Sequence, residues 1–283
     1  MKSLTDCFVL NNGVEIPCVG FGTWQTPDGD VAVASVKAAI ACGYRHIDTA
    51  AAYNNEKSVG IAVKESGVKR EDLFITSKLA NPCHGYDATM RAFDQTLEQL
   101  DMQYLDLYLI HWPNPAAFRD HWQEANAGTW RAFEENYNAG RIRALGISNF
   151  MPHHIRALMQ TATVAPAVNQ IRLCPGCVDE ATVQYCSAHD ILLEAYSPLG
   201  TGKIFDVPQM QQLSEKYGKT IAQICLRWSL QQGFLPLPKS VTPARIAENT
   251  DVFGFELSTQ DMALIANLTG CCGEARDPDK TAF

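Results

Sequence analysis

Short apolar runs alternate with longer amphipathic segments along almost the whole chain. Apolar runs of this length, bounded by turn residues, are typical of buried strands. Eight strands are predicted, at residues 18–22, 44–47, 73–77, 105–110, 142–147, 167–171, 191–195 and 235–238. Between them apolar residues recur every three or four positions, which predicts helices at residues 31–41, 57–66, 89–100, 129–139, 153–160, 180–188, 208–217 and 221–230.

Local signals mark some of the helix ends. Gly43, Gly67 and Gly140 follow three of the predicted helices, in the place where a glycine commonly ends a helix. Asp87 is a candidate N-terminal cap for the third helix.

The order of these elements predicts the fold class. Each strand and its helix take roughly 30 residues, the size of a βαβ unit, and strands that alternate with helices favour a parallel sheet. Eight such units without a Pro/Ser-rich linker predict an α/β protein with a closed (β/α)8 TIM barrel. Residues 7–18 alternate around Asn12-Gly13, which predicts an N-terminal β-hairpin. We expect one domain over residues 1–283.

The composition is that of an ordinary globular protein and argues against nucleic acids and membranes as binding partners. The 283 residues are 46% hydrophobic and 19% charged, with a net charge of −8. An acidic chain without Lys/Arg runs is a poor candidate for nucleic acid or anionic membranes. The N-terminus lacks the apolar core of a signal peptide, and no apolar run approaches the roughly 20 residues of a membrane span. We expect a cytoplasmic protein whose ten cysteines are free or buried thiols.

Function in a (β/α)8 barrel lies at the carboxyl ends of the strands, so the first polar residues after each apolar run are candidates. These are Asp48, Lys78, His111, Ser148, Asn149, Asn169, Gln170, Tyr196, Ser197, Lys239 and Ser240. Each alone has a structural explanation, such as a helix cap for Asp48. Together they favour function, because three neighbouring strands would bring Asp48, Lys78 and His111 to one mouth of the barrel. Tyr53 lies in the loop after Asp48.

These four side chains suit the reduction of a carbonyl group. A free tyrosine has a pKa near 10, and the ammonium of Lys78 is expected to lower the pKa of Tyr53. Asp48 would keep Lys78 charged and oriented, since a buried unpaired lysine becomes neutral. His111 would donate a hydrogen bond to the substrate oxygen. The result is a general acid beside a hydrogen-bond donor, which requires no metal.

The hydride for such a reduction has to come from a cofactor. Gly20-Phe21-Gly22 begins like the dinucleotide-binding G-x-G-x-x-G motif, but Gln25 stands where the third glycine belongs and no strand with an acidic end follows. Tyr53 and Lys57 have the spacing of the Tyr-x-x-x-Lys pair of short-chain dehydrogenases, which needs the same missing motif. Neither match predicts a Rossmann site.

The motifs at the strand ends together resemble those of the aldo-keto reductase family, of the microbial kind that includes 2,5-diketogluconate reductases and protozoan prostaglandin F synthases. They are GYRHIDTAAAYNNE, LFITSK, DLYLIHWP, GRIRALGISNF, PAVNQI, AYSPLG and LPKSVTPARIAEN. The resemblance implies a (β/α)8 barrel with NADPH across its mouth. It also implies that Tyr53 is the proton donor of a catalytic tetrad completed by Asp48, Lys78 and His111.

The same resemblance implies a set of cofactor contacts. They are Gly22, Thr23 and Asp48, then Ser148, Asn149 and Gln170 at the nicotinamide carboxamide, Tyr196 against its ring, Ser197, Leu199 and Gly200 at the pyrophosphate, and Lys239, Ser240, Val241, Arg245, Glu248 and Asn249 at the adenosine end. Lys239 and Arg245 offer positive charge for a 2′-phosphate, which favours NADPH over NADH.

Two departures from the family pattern concern the substrate pocket. The family usually reads Lys-Leu-Trp where this chain has Lys78-Leu79-Ala80, and loss of the indole is expected to widen the pocket or alter its stacking. The usual Gln-Ile-Glu becomes Gln170-Ile171-Arg172, which changes the charge at the end of the sixth strand. Aromatic residues beside the matched motifs are expected to form pocket walls. The residues expected to contact substrate are Trp24, Tyr53, His111 and Trp112.

We therefore expect an NADPH-dependent reductase of small aldehydes or ketones that acts as a monomer. One alternative is a cofactor-sensing protein on the same barrel without catalysis, since fold does not fix function. Another is a redox protein that uses Cys174 and Cys177, whose C-x-x-C spacing is also that of half a zinc site. The loops at 113–128 and 270–283, which would shape the substrate pocket, have no readable pattern.

Overall fold

A ring of eight parallel strands surrounded by helices forms the structure, a computed structural model that describes residues 1–283. Two short antiparallel strands, β1 (Cys7–Val9) and β2 (Glu15–Pro17), precede the ring. The ring strands follow one another in chain order: β3 (Gly20–Gly22), β4 (His46–Asp48), β5 (Phe74–Leu79), β6 (Leu105–Ile110), β7 (Ile142–Ser148), β8 (Val168–Arg172), β9 (Leu192–Tyr196) and β10 (Leu235–Leu237). The predicted (β/α)8 barrel with an N-terminal hairpin is confirmed.

Helices connect the strands and cover the outside of the ring. They are α1 (Asp30–Ala41), α2 (Glu56–Glu65), α3 (Tyr86–Leu100), α4 (Trp122–Asn138), α5 (Pro152–Leu158), α6 (Glu180–Ala188), α7 (Pro208–Tyr217), α8 (Ile221–Gln231), α9 (Pro243–Glu248) and α10 (Thr259–Ala266). A large apolar cluster lies between helices and strands, where Phe133 of α4 packs on Tyr108 of β6 and on its helix neighbour Trp130. None of the helices is both long enough and apolar enough to cross a membrane.

The ring is drawn together between its first and last strands. The backbone N–H of Gly22 donates to the carbonyl of Pro238 at 3.0 Å. Gly20 allows this approach, because a Cβ there would lie 2.5 Å from the Leu237 side chain and 2.6 Å from the His46 ring. A glycine is therefore needed at this seam.

The hairpin closes the amino-terminal end of the barrel. Its turn is held by a hydrogen bond from Gly13 N–H to Leu10 O at 2.8 Å, and Gly13 has a φ of +83°, a conformation that favours glycine. Leu10 and Ile16 pack against the apolar side chains that fill the inside of the ring. Because this end is closed, only the carboxyl ends of the strands surround an open cavity.

Candidate active site

A cavity of about 1200 Å³ opens at the carboxyl ends of the ring strands. Three residues of the predicted tetrad, Asp48, Tyr53 and His111, line it. Lys78 lies directly beneath them on β5, and its side chain has no exposed surface. The fold thus brings together the four residues that the sequence singled out.

The ammonium of Lys78 is the hub of this group. Its three N–H groups face four oxygens: both carboxylate oxygens of Asp48 at 2.7 and 2.8 Å, Thr49 O at 2.8 Å and the Tyr53 hydroxyl at 3.2 Å. Burial lowers the pKa of Lys78, but the charge of Asp48 and the contact with Tyr53 outweigh it and the net pKa is raised. Lys78 therefore stays charged in a dry position.

The pKa of Tyr53 departs from the expectation. Loss of water around the hydroxyl raises it, the charge of Lys78 lowers it, and the net direction is upward. The expected lowering of the Tyr53 pKa is therefore wrong for this structure, because burial outweighs the ammonium. The phenol keeps its proton at neutral pH, as a proton donor must.

His111 faces Tyr53 across the floor of the cavity. The two rings meet edge to face, with their centroids 5.7 Å apart. Burial, aided by the charge of Lys78, lowers the pKa of His111 to about 3. The imidazole is therefore neutral at pH 7 and has one N–H to donate into the cavity.

A hydrogen-bonded group on β7, β8 and β9 forms the adjoining wall. The Tyr196 hydroxyl donates to Asn149 Oδ1 at 2.8 Å, and Asn149 Nδ2 donates to His111 O and to Ser148 Oγ, each at 3.0 Å. Ser148 Oγ in turn donates to Gln170 O at 2.8 Å. The predicted nicotinamide contacts are thus fixed to one another and to the tetrad.

Strained backbone is concentrated around the cavity. Seven residues other than glycine have a positive φ, a conformation that side chains disfavour. Five of the seven line the cavity, namely Gln25, Asn54, Asn149, Ser197 and Thr201. The other two, Asp101 and Asp190, end or follow helices. Such a concentration is typical of a functional site.

The predicted cofactor contacts divide into two groups. Those that line the cavity are Gly22, Asp48, Ser148, Asn149, Gln170, Tyr196, Ser197, Leu199 and Lys239. Those that do not are Thr23, Gly200, Ser240, Val241, Arg245, Glu248 and Asn249. Thr23 is buried behind the wall and donates to Asp48 O, while the Glu248 carboxylate accepts from the Thr220 hydroxyl at 2.8 Å. For both groups contact with the cofactor stays a prediction.

Both tryptophans predicted for the substrate side line the cavity, but they differ in exposure. Trp24 is 47% exposed at the rim, whereas Trp112 is 9% exposed and packs on Phe283, with ring centroids 5.1 Å apart. Ala80, at the place of the usual tryptophan, also lines the cavity. Phe283 comes from the C-terminal tail and was not predicted, because no periodic pattern marks that segment.

A second layer of polar side chains lies inside the barrel below the tetrad. Gln170 Nε2 donates to Asp48 Oδ2 and to Glu194 Oε2, each at 2.8 Å. Burial, together with the charge of Asp48, raises the pKa of Glu194 to about 8, and burial lowers the pKa of His46 to about 3. Both are mainly neutral at pH 7. The signal for this layer was an acid within an otherwise apolar strand, Glu194 in ILLEAY.

The C-x-x-C pair lies outside the cavity. Cys177 N–H donates to Cys174 O at 2.9 Å across a tight turn, and the Cys174 thiol contacts those of Cys177 and Cys272. All ten cysteines are free thiols. Neither Cys174 nor Cys177 lines the cavity, so the geometry does not link the pair to the tetrad.

One group outside the cavity has the composition of a metal site. His153, His154 and Asp279 bring possible ligand atoms within 4.8 Å of one another. However, His154 Nδ1 accepts from Met151 N–H at 3.1 Å, so its Nε2 carries the proton and donates to Asp279 at 2.9 Å. A protonated nitrogen cannot bind a metal. This group instead anchors the C-terminal tail to α5.

The comparisons with known proteins agree with this geometry. A model described as the aldo/keto reductase family matches residues 18–269. The glyoxal reductase of Bacillus subtilis (strain 168) is 47% identical over 281 residues, 99% of either chain. The methylglyoxal reductase DkgA of Escherichia coli (strain K12) is 41% identical over 273 residues, 96% of either chain. A solved mutant of Gox0644 in complex with NADPH has a TM-score of 0.91 and 37% identity, with 99% of each chain covered.

A barrel with this polar site and these relatives defines an oxidoreductase. The chain belongs to the aldo/keto reductase family.

Proposed function

We propose that this protein reduces aldehyde or ketone groups to alcohols with NADPH, and that Tyr53 donates the proton. The observation that carries the proposal is the contact of the Tyr53 hydroxyl with Lys78, which is itself held by Asp48, at the floor of a cavity. The stability of the fold does not require this contact, because Asp48 and Thr49 already accept the hydrogen bonds that Lys78 can donate.

The four side chains have separate tasks in the proposed reaction. Tyr53 gives its hydroxyl proton to the carbonyl oxygen as charge develops there. Lys78 stabilises the phenolate that remains, and Asp48 keeps Lys78 charged and in place. The neutral imidazole of His111 donates a hydrogen bond to the same oxygen, which orients the carbonyl and stabilises its negative charge.

The residues of the cavity fit a nicotinamide dinucleotide. When bound, NADPH supplies the hydride. The Tyr196 ring, held through its hydroxyl by Asn149, offers a flat surface for a planar ring. Gln170, Ser148 and Asn149 offer hydrogen-bonding groups for an amide. Lys239, at the opposite rim, is a cation available to a phosphate group.

The substrates are proposed to include small α-oxo aldehydes. Two relatives are named as reductases of glyoxal and of methylglyoxal, and each matches this chain over nearly its full length. A panel of aldehydes and ketones, assayed by loss of NADPH absorbance with NADH in parallel, tests the substrate class.

The replacement Tyr53→Phe tests the proton donor. It removes the hydroxyl but keeps the ring, so we expect kcat to fall at least about 100-fold, the usual contribution of a positioned general acid. NADPH affinity, measured by fluorescence titration, should remain within about twofold.

The matched control is Tyr185→Phe, which removes a phenol on α6 where the ring stacks on His189. This variant should retain full turnover. Undiminished kcat in Tyr53→Phe would show that another group protonates the product and would overturn this role.

A further inference from the structure

Two arginines line the cavity without a counter-ion. Arg172 ends β8 and lies in register beside Tyr196 of β9, and Arg276 belongs to the C-terminal tail. Four other arginines are paired with carboxylates, namely Arg70, Arg141, Arg143 and Arg227. No carboxylate oxygen lies within ion-pair distance of Arg172 or Arg276. Their charge is therefore free to act on a molecule in the cavity.

No other charge in the cavity offsets these cations. Asp48 has the single carboxylate side chain among the lining residues, and both of its oxygens are bound by Lys78. The cavity is therefore cationic in a protein whose net charge is −8. A cleft of one sign with low-dielectric walls concentrates ligands of the opposite sign.

Arg172 is held rigidly and also positions the tail. Its Nη atoms donate to Cys272 O at 2.6 Å and to Glu274 O at 2.7 Å, and its Nε is buried without an acceptor. Glu274 lies two residues before Arg276. The two cations are thus coupled through one short piece of backbone. An arginine fixed by main-chain carbonyls keeps its full charge, which a carboxylate partner would have cancelled.

Arg276 lies on the side of the cavity where the substrate has to bind. Its guanidinium carbon is 5.5 Å from the centre of the Phe283 ring, and that ring packs on Trp112 at 5.1 Å. Trp112 directly follows His111, which faces the carbonyl in the proposed reaction. Lys239 instead contacts Gln25 O at 3.3 Å, where β3 and β10 meet. The arginines and Lys239 therefore serve different ends of the cavity.

We propose that the substrate pocket takes a carbonyl compound that also bears a carboxylate or phosphate, and that Arg276 and Arg172 form its anion-binding subsite. This inference rests on the proposed reduction and adds anionic carbonyl compounds, as preferred substrates, to the neutral aldehydes proposed above. A guanidinium matches either group through paired N–H donors. Ala80, beside the same pocket, leaves room for the longer substrate.

The test compares an anionic substrate with an uncharged counterpart in each of two pairs. One pair is 4-oxobutanoate and its methyl ester, and the other is glyceraldehyde 3-phosphate and glyceraldehyde. We expect kcat/KM to be at least about tenfold higher for an anionic member, the effect of a hydrogen-bonded charge. The pair that shows the larger preference for its charged member indicates whether the subsite binds a carboxylate or a phosphate. The preference should shrink as ionic strength rises.

Replacing the arginines tests whether they cause the preference for the anionic substrate. Arg276→Gln should lower kcat/KM for the anion about tenfold and leave the neutral partner within about twofold, and Arg276→Lys should restore part of the loss. Arg172→Gln should act in the same direction. Arg91→Gln on α3 removes the same charge from the outer surface and should change neither substrate.

The outcomes separate this inference from the proposed function. Turnover of neutral aldehydes with no preference for the charged partners would overturn the anion subsite and leave the reductase intact. A preference that persists in both arginine variants would overturn the assignment to these residues. Absence of NADPH oxidation with every aldehyde would overturn the reductase and the subsite together.

Discussion

Glu194, inside the barrel, should make the free energy of unfolding depend on pH. It has no exposed surface, it accepts one hydrogen bond from Gln170, and its other oxygen has no hydrogen-bond partner. Because its pKa is raised to about 8 in the folded protein, against about 4.3 for a free glutamate, the folded state binds this proton more tightly than the unfolded state. The free energy of unfolding should therefore fall as the pH rises from about 4.5 to about 8.

The replacement Glu194→Gln removes the titration and keeps the shape. We expect the variant to lose less stability than the wild type between pH 5 and pH 8, by at least about 1 kcal/mol. Urea unfolding at four pH values measures this. Part of the slope should remain, because burial raises the pKa of Glu56 to about 7 with the same sign.

The surface variant Glu98→Gln provides the control for this experiment and should reproduce the wild-type slope. Parallel pH profiles for wild type and Glu194→Gln would mean that Glu194 is already ionised in the folded protein at low pH.

At the scale of elements, local chemistry predicted helix ends better than helix starts. Gly43, Gly67 and Gly140 follow α1, α2 and α4 with φ values of +99°, +75° and +73°, as expected for C-terminal glycines. Asp87 is not the cap of α3, which begins after Gly85 without a capping side chain, and Asp87 lies in its first turn. An αL glycine is a backbone requirement, whereas a cap is one of several ways to satisfy N–H groups.

The start of α4 and two short helices were also missed, because the sequence pattern is weak at these places. Helix α4 begins at Trp122 rather than at residue 129, because the residues between lack a clear apolar period. The helices α9 and α10 were not predicted. They are short, and short helices are stabilised by packing rather than by an intrinsic pattern that the sequence displays.

Gly60 supports the packing of α2 against the end of α3. A Cβ at this position would collide with the carbonyl group of Leu100. Because that neighbour is backbone, Gly60→Ala should force the helices apart and lower the free energy of unfolding by about 1–3 kcal/mol, the usual cost of overpacking. Denaturant unfolding measures the change.

Gly254→Ala is the matched control, since nothing lies within 4 Å of its would-be Cβ and its φ is not positive. It should leave stability unchanged or slightly raised. Equal stabilities for the two alanine variants would mean that α2 and α3 can shift without loss.

At the scale of the whole molecule, the barrel and the tetrad were predictable for one reason. The strand and helix periods give the order of elements, and in this architecture the order alone places Asp48, Lys78 and His111 at one end. The proposed anion subsite was not predictable in this way. Arg276 and Phe283 reach the cavity through the path of the tail, which hydrogen bonds fix, such as Arg119 Nη2 to Thr281 O at 2.6 Å. No periodicity encodes such contacts.

The charge of Lys239, which is predicted to lie at the adenosine end of the cofactor, should decide between the two nicotinamide cofactors. Lys239 lies where β3 and β10 meet, with no carboxylate within ion-pair distance, so we expect Lys239→Met to weaken NADPH binding about tenfold, the worth of one charged hydrogen bond. NADH binding should change little, since it lacks the 2′-phosphate. Fluorescence titration with both cofactors measures the two affinities.

Lys37→Met is the control, because Lys37 pairs with Glu65 on the outer helices. It should not alter either affinity. Equal losses for NADPH and NADH in Lys239→Met would indicate that this lysine contacts the pyrophosphate that both share.

Because the hairpin covers one end of the ring, the barrel cavity has a single opening. With Leu10 and Ile16 sealing the far end, whatever enters through the mouth has to leave through it. In the proposed reaction the dinucleotide binds across that opening first and forms part of the pocket that the substrate then enters. In the proposed reaction the alcohol therefore has to leave before the oxidised cofactor can be exchanged.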